Sequence, residues 1–169
     1  MFWIATIQDS IQFPKTFQIK SWNDKEIISA LKEKYESKIL GEQSIIVMVL
    51  GNVQPTGTSL EDISQSYTVT FDALMFEPKL LEIIRGQVVE INDFGILVRI
   101  GPIDSYVHKS QIFDGYPKID TKSATAISDT GKTITTGTTI RGRITSISIP
   151  NTGAIKIGLT CMEPQFGPE

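Results

Sequence analysis

The chain has one cysteine, Cys161, and one histidine, His108, in 169 residues. A single cysteine excludes an intrachain disulfide and a thiolate zinc cluster, and it fits a reducing compartment. A single histidine means that a nucleophile–base set would have to pass through His108. Nothing beside it resembles a nucleophile elbow or a Cys–His pair, and a lone histidine is more often structural or surface polar than catalytic. An excess of positive charge is missing too: 16 Lys/Arg stand against 19 Asp/Glu, a net charge of −3. That argues against coating of nucleic acid by bulk electrostatics. The longest apolar run, IIVMVL at residues 45–50, is far too short to span a membrane. The opening MFWIATIQDS lacks a basic flank and a long apolar stretch, so no signal peptide is expected. Residues 51–57 hold glycines but no Lys-Ser/Thr pair to bind a nucleoside triphosphate. Glu61, Asp62 and Asp114 have no metal-ligand spacing, and no internal repeat is visible. No cofactor is implied.

What is present is ordinary globular composition, with 40% hydrophobic and 21% charged residues. The length suits one domain or two small ones. Charge divides unevenly. Residues 1–81 carry 7 Lys/Arg and 10 Asp/Glu, whereas residues 82–169 carry 9 of each. Any contact with nucleic acid must therefore come from local clustering of cations.

Residues 2–13 alternate loosely and predict a strand that Pro14 ends. Asn23 with Glu26 makes a capping-box-like start for a helix over 24–36. Ile27, Leu31 and Tyr35, with Ile28 beside them, form its apolar face, and Gly41 is the expected stop. Residues 44–53 predict a buried strand, and 54–66, with Pro55 and Gly57, a loop. Tyr67, Val69, Phe71, Ala73 and Met75 alternate with polar residues, the pattern of a half-buried strand. The first half thus reads as an α+β layer, an antiparallel sheet with one packed helix. Glu77-Pro78 marks the change of pattern, which gives domains at 1–80 and 81–169. Beyond it, residues 83–91, 94–101 and 104–109 read as strands with turns at Asn92-Asp93 and Gly101-Pro102. Residues 138–149 and 153–160 read as a second hairpin turning at Pro150-Asn151. Five short strands suit a closed OB-type barrel. A polar insert at 113–137 is expected as a mobile loop across one end.

Within this half, residues 86–112 place an aromatic, the histidine and cations near one another. Phe94 follows Asn92-Asp93. Its ring either points outward for a base to stack on or caps the barrel core, and the sequence leaves both open. Arg141 and Arg143 flank Gly142, so both point to one face while Ile140 and Ile144 point inward. They are either phosphate contacts or a solvated outer face. Arg99 and Lys109 could extend the patch. The lysines of the helix are interleaved with Glu and read as a solvated face.

The second half resembles the S-one type RNA-binding domain, the OB-fold repeat named after a ribosomal protein. The residues that carry the likeness are Gly86, Val88, Asp93-Phe94-Gly95, Val98, Ile100-Gly101 and Val107-His108-Lys109-Ser110-Gln111-Ile112, completed by the late hairpin at 140–147 and 156–160. The first half narrows it. Lys34-Tyr35-Glu36 before a buried strand, then the run from Tyr67 to Pro78, then an S-one domain, resembles the RNA polymerase subunit seven family, whose archaeal members are called E-prime. Gly101-Pro102-Ile103-Asp104 and the stretch from Ile157 to Pro164 match that family as well, and the match looks archaeal rather than nuclear. The resemblance implies a truncated RNP-like N-terminal domain followed by a five-stranded S-one barrel. It implies a noncatalytic subunit that pairs with a small helical partner, the polymerase's subunit-four protein, as a stalk on the multisubunit enzyme. The N-terminal half would dock on core RNA polymerase near the clamp. The barrel would contact emerging single-stranded RNA through Phe94, Arg99, His108, Lys109, Arg141 and Arg143, and the stalk would support initiation, elongation and termination. No membrane is involved. The place implied is the archaeal cytoplasm, or the nucleus for a eukaryotic source. Three positions depart from the pattern: Leu97 where many S-one domains have a second aromatic, Ser105 where a glycine is frequent, and residues 58–62 in place of a glycine-rich loop. The competing readings are a free-standing S-one RNA-binding protein of translation or RNA decay, which would not share the N-terminal half, and an enzyme, which would need a positioned nucleophile or metal.

Overall fold

A computed structural model describes residues 1–14, 16, 19–60, 64–115, 117–149 and 154–169. Glu61, Asp62 and the Pro150-Asn151 turn lie outside the described residues. The chain forms two compact units, Met1–Glu77 and Pro78–Glu169. Among the described residues no helix is long and apolar enough to cross a membrane.

The first unit contains β1 (Phe2–Pro14), α1 (Lys25–Tyr35), β2 (Ile39–Leu40), β3 (Ser44–Leu60) and β4 (Ser64–Phe76). The sheet order is β1-β4-β3-β2, antiparallel throughout. The helical period of α1 stacks Ile27, Leu31 and Tyr35 on one side, and all three are buried. They pack on Ile11, Ile46, Val49, Val53, Val69, Phe71, Ala73 and Met75, the inward-facing residues of the sheet. Each of the larger aliphatic and Phe side chains among them contributes about 1.5–3 kcal/mol on burial. A polar clasp fixes the last turn of the helix to β1. Tyr35 donates its hydroxyl to Asp9, and Lys34 Nζ reaches Asp9 Oδ2 at 3.2 Å and the Ser10 carbonyl at 2.6 Å. The Tyr35 hydrogen bond is the main cause that holds the Asp9 carboxyl below its usual range.

Three local expectations are corrected. The capping box does not form, because Asn23 Oδ1 accepts from the Val53 amide at 3.0 Å while Asp24 is the N-cap residue. The helix ends at Tyr35, well before Gly41. Ser37 takes a left-handed φ of 65°, and its amide bonds the Ile46 carbonyl, which turns the chain into β2. Residues 54–60 are strand rather than loop. Here β3 runs past the short β2, so among the described residues no strand pairs with its second edge beside Pro55, and an edge tolerates proline. Register shifts between Gly51 and Gln54 and between Pro55 and Gly57 absorb the irregularity.

The second unit holds β5 (Ile83–Asn92), β6 (Gly95–Arg99), β7 (Asp104–His108), a 3-10 turn (Lys109–Gln111), β8 (Lys118–Asp120), β9 (Thr125–Ile127), β10 (Thr133–Thr135), β11 (Thr139–Ser148), β12 (Lys156–Thr160) and β13 (Gly167–Pro168). Strands β12-β7-β6-β5-β11 lie in order, and β11 pairs back to β12. That closes a five-stranded OB-like barrel in which β7 and β12 run parallel. Val88, Ile96, Val98, Val107, Ile140, Ile144, Ile157 and Leu159 fill it, each 3% exposed or less. The fold class read from the sequence is therefore the observed one, with β13 added as a short sixth strand on β11. The insert is not a bare loop. It folds into its own antiparallel sheet, β10-β9-β8, with Ala126 and Ile134 buried. Asp120 and Ser128 close its turns, accepting from Lys122 N and Lys132 N.

Candidate nucleic-acid interface

The outward faces of β6 and β7 form an open surface. Period two puts Gly95, Leu97 and Arg99 of β6 on the outside, opposite His108, Tyr106 and Asp104 of β7. Phe94 stands in the turn just before β6. Asn92 Oδ1 accepts from both the Phe94 and Gly95 amides at 3.1 Å, and the Lys109 amide donates to the Phe94 carbonyl at 2.8 Å. The backbone of the turn is thus pinned while the ring is 70% exposed. Phe94 does not cap the core, so of the two orientations open in the sequence the outward one is found.

His108 is exposed, and it is also the N-cap of the 3-10 turn. Its Nδ1 lies 2.8 Å from Ser110 Oγ and accepts from the Ser110 amide at 3.3 Å. An N–H aimed at Nδ1 makes that nitrogen an acceptor, so the neutral ring carries its proton on Nε2. The contact between His108 and Ser110 is therefore a cap, and it leaves Nε2–H as a donor. Lys109 begins the same turn and is half-buried.

Tyr106 was not singled out in the sequence. It pairs with Leu97 across the strands and is half-buried, and burial raises its hydroxyl pKa. Its hydroxyl lies across Gly95, where an added Cβ would come 2.9 Å from it and 2.1 Å from the Val107 carbonyl. Tyr106 thus restores, on the neighbouring strand, the second aromatic that Leu97 replaces. The alternation Asp104, Tyr106, His108 was the signal that could have found it. Ser105, the other departure, is buried with its hydroxyl donated to the Val98 carbonyl at 2.9 Å. The surface continues into a shallow groove of about 430 Å³ lined by Leu97, Tyr106, Ser146, Ser148 and Lys156 among others.

The arginines divide between two surfaces. Arg99 is on the β6–β7 face, where it forms a two-pronged pair with Asp104 at 2.9 and 3.2 Å. Arg141 and Arg143 lie on β11, in register with Arg85 and Ile83 of β5. They share a face as expected, but not with Phe94 or His108. Nor are they without acids. Arg143 holds Glu163 at 2.6 and 2.7 Å, and Arg141 and Arg85 both hold Glu169. The hydrogen bonds that Arg143 donates to Glu163 raise the pKa of its guanidinium. Among the described residues no group of three or more His, Cys, Asp or Glu could hold a metal.

A closed five-stranded barrel with an exposed aromatic, a histidine donor and a shallow groove on one face defines an OB-fold module. Residues 77–149 match the S1 RNA binding domain family. Over 145 residues the chain is 30% identical to the DNA-directed RNA polymerase subunit Rpo7 of Saccharolobus solfataricus, with 83% of this chain and 80% of the relative covered. It is 29% identical to Rpo7 of Saccharolobus shibatae over the same shares. It is 31% identical to Rpo7 of Sulfolobus acidocaldarius over 150 residues, 85% of this chain and 80% of that one. The likeness runs through both units, and the chain belongs to the DNA-directed RNA polymerase subunit seven family.

Proposed function

We propose that this chain is the noncatalytic stalk subunit of a multisubunit DNA-directed RNA polymerase, and that its barrel guides emerging single-stranded RNA. The observation that carries the reading is the coupling of an S1 barrel to the N-terminal sheet unit within one Rpo7-like chain. On the barrel, Phe94, Tyr106 and His108 supply stacking surfaces and a donor, and Lys109 and Lys156 supply charge at the rim. One or two stacked bases, at about 1–3 kcal/mol each, give weak and sequence-tolerant binding. Such affinity suits a transcript that must keep moving. Support of initiation, elongation and termination follows from a stalk that holds RNA as it leaves the enzyme.

The first unit is assigned to docking. Phe2, Ile4, Met48 and Leu50 are about half exposed or more. They belong to the side of the sheet opposite the helix, since the inward positions of β1, β3 and β4 are those packed on α1. Patches of this kind mark protein interfaces. The occupants assigned are a small helical protein of the subunit-four type, as heterodimer partner, and the core polymerase near the clamp. Val69, Phe71, Ala73 and Met75 of β4 are covered by the unit's own core and take no part in this face. The cellular place that follows is that of the polymerase, the cytoplasm of an archaeal cell.

The test is an affinity pull-down of tagged chain from its native lysate. Recovery of a small helical partner with the large polymerase subunits is expected. Recovery of ribosomal or RNA-decay components without polymerase would replace the stalk by a free-standing RNA-binding protein.

A further inference from the structure

All four arginines of the chain, Arg85, Arg99, Arg141 and Arg143, fall in the second unit. Three of them are held by one short segment, residues 163–169. Glu163 grips Arg143 through both its carboxylate oxygens, and Arg143 also donates to the Leu81 carbonyl at 3.1 Å. Phe166 lies under the same guanidinium, 5.7 Å from ring centroid to Cζ. Glu169 Oε1 is shared by Arg85 and Arg141. The segment is tied to the barrel by few backbone contacts. The two residues of β13 pair with Ile140 and Arg141, and the Glu169 amide donates to the Thr139 carbonyl at 3.0 Å. Gln165 holds a φ of 69°, which a residue with a side chain rarely adopts. A shallow pocket of about 490 Å³ remains beside it, lined by Ile83, Arg85, Arg141, Gln165 and Phe166.

The geometry points to a second, covered RNA-phosphate face on β5 and β11, with residues 163–169 as an acidic strap that RNA phosphates displace. The inference rests on the reading of the barrel as an RNA-binding module. Two carboxylates serve the three guanidiniums as acceptors, and RNA phosphates present the same kind of acceptor to arginine. An RNA strand supplies the same acceptors, and Phe166, once moved, offers a ring to a base. The strap keeps the arginines from holding RNA at low occupancy. It yields when a strand already engaged on the Phe94 face extends around the barrel, since the second contact is then intramolecular.

The experiment measures binding of fluorescent oligouridylate to the full chain by anisotropy. The isosteric double variant Glu163→Gln, Glu169→Gln should bind on the order of tenfold more tightly at about 50 mM salt. The gain should shrink to under about twofold near 200 mM, because two added phosphate contacts steepen the salt dependence by about 1.4 in log–log slope. Asp114→Asn with Asp129→Asn changes net charge equally at two exposed positions and should give a much smaller gain. Adding Arg85→Ala and Arg141→Ala should abolish the gain of the Gln variant. If the Gln variant matches the charge control, the strap is overturned while RNA binding by the barrel stands. If neither the native chain nor the Gln variant binds and Phe94→Ala changes nothing, both readings fall. Hydrogen exchange gives a readout independent of affinity. Saturating oligouridylate should deprotect the Gly167 and Glu169 amides, and unchanged protection would also overturn the strap.

Discussion

Two faces of one barrel handle charge in opposite ways. The β6–β7 face is open and mostly uncharged, with Phe94, Leu97, Tyr106 and the donor side of His108 facing outward. The β5–β11 face carries three arginines, each engaged by Glu163 or Glu169, with Arg141 and Arg143 largely covered and Arg85 paired but exposed. Periodicity alone predicts which side chains share a face. It carries no information on what a segment 20 or 84 residues away brings to them. A pair of arginines on an exposed strand is therefore poor evidence for a phosphate site until its acids are located, and a half-exposed aromatic between two strands is better evidence than its burial implies.

The most damaging way to break the open face is through its backbone. Gly95→Ala would set a Cβ 2.1 Å from the Val107 carbonyl, where no flexible group can yield. Strands β6 and β7 would have to part, at a cost of about 3 kcal/mol or more. The chain carries its own reporters for this. Both tryptophans, Trp3 and Trp22, are in the first unit, and the buried thiol of Cys161 is in the second. In urea, thiol labelling should begin at much lower denaturant in the variant while the tryptophan transition stays in place. Labelling that begins at the native midpoint would show that the strands adjust. Tyr106→Ala should cost oligouridylate affinity by about 1–3 kcal/mol, one stacked base, with thiol protection retained. An unchanged affinity would confine stacking to Phe94.

A smaller effect lies beneath the covered face. Burial pushes the Cys161 thiol up to about 12 from an ordinary 9.0. The folded barrel then holds the thiol proton more tightly than the unfolded chain. Its contribution is complete below pH 9 and is lost as pH rises towards 12. At pH 10 the loss should be about 1 kcal/mol, read as the difference between native chain and Cys161→Ala in urea melts at pH 8 and pH 10 followed by circular dichroism. Tyr106, also raised by burial, titrates in both proteins and cancels. Parallel melts at the two pH values would mean that the thiol is hydrated.

Much of this architecture was legible in the chain itself. The alternation of Val69, Phe71, Ala73 and Met75, the i, i+4 spacing of Ile27, Leu31 and Tyr35, and the glycines around Phe94 each act locally, and each element they predict is present. What failed depended on distant partners. Pro55 and Gly57 sit in a strand because β4 pairs with that stretch and β2 does not reach it. Asn23 caps nothing because the Val53 amide, 30 residues on, takes its side chain. The insert became a sheet because Ala126 and Ile134, scattered among threonines, find one buried side together. In the site, Phe94 and His108 were visible as motif residues. Tyr106 is less legible, because its place on the face depends on the cross-strand register that sets it opposite Leu97.

The finest contrast is between arginines that look alike in sequence. Arg99 meets Asp104 across a hairpin, with its side chain 60% exposed. Arg143 is 28% exposed, grips Glu163 with two prongs, reaches the Leu81 carbonyl and covers Phe166. An exposed pair is screened by water and salt and loses much of its attraction to side-chain entropy, whereas a guanidinium that satisfies several partners in one pose does not. Arg143→Ala should therefore lower the urea midpoint for thiol exposure visibly, and Arg143→Lys should recover only part of it, since an ammonium cannot make the two-pronged contact. Arg99→Ala should leave the midpoint within error. The same pair should sort differently in RNA binding. Neither cation is free in the native state, but Arg99 lies on the open face, diagonal to Tyr106 across β6 and β7, so its loss should weaken oligouridylate at low salt while barely touching stability. Equal effects of the two substitutions on stability would mean that the strap adds nothing to the barrel, and the distinction between an open and a covered face would reduce to charge alone.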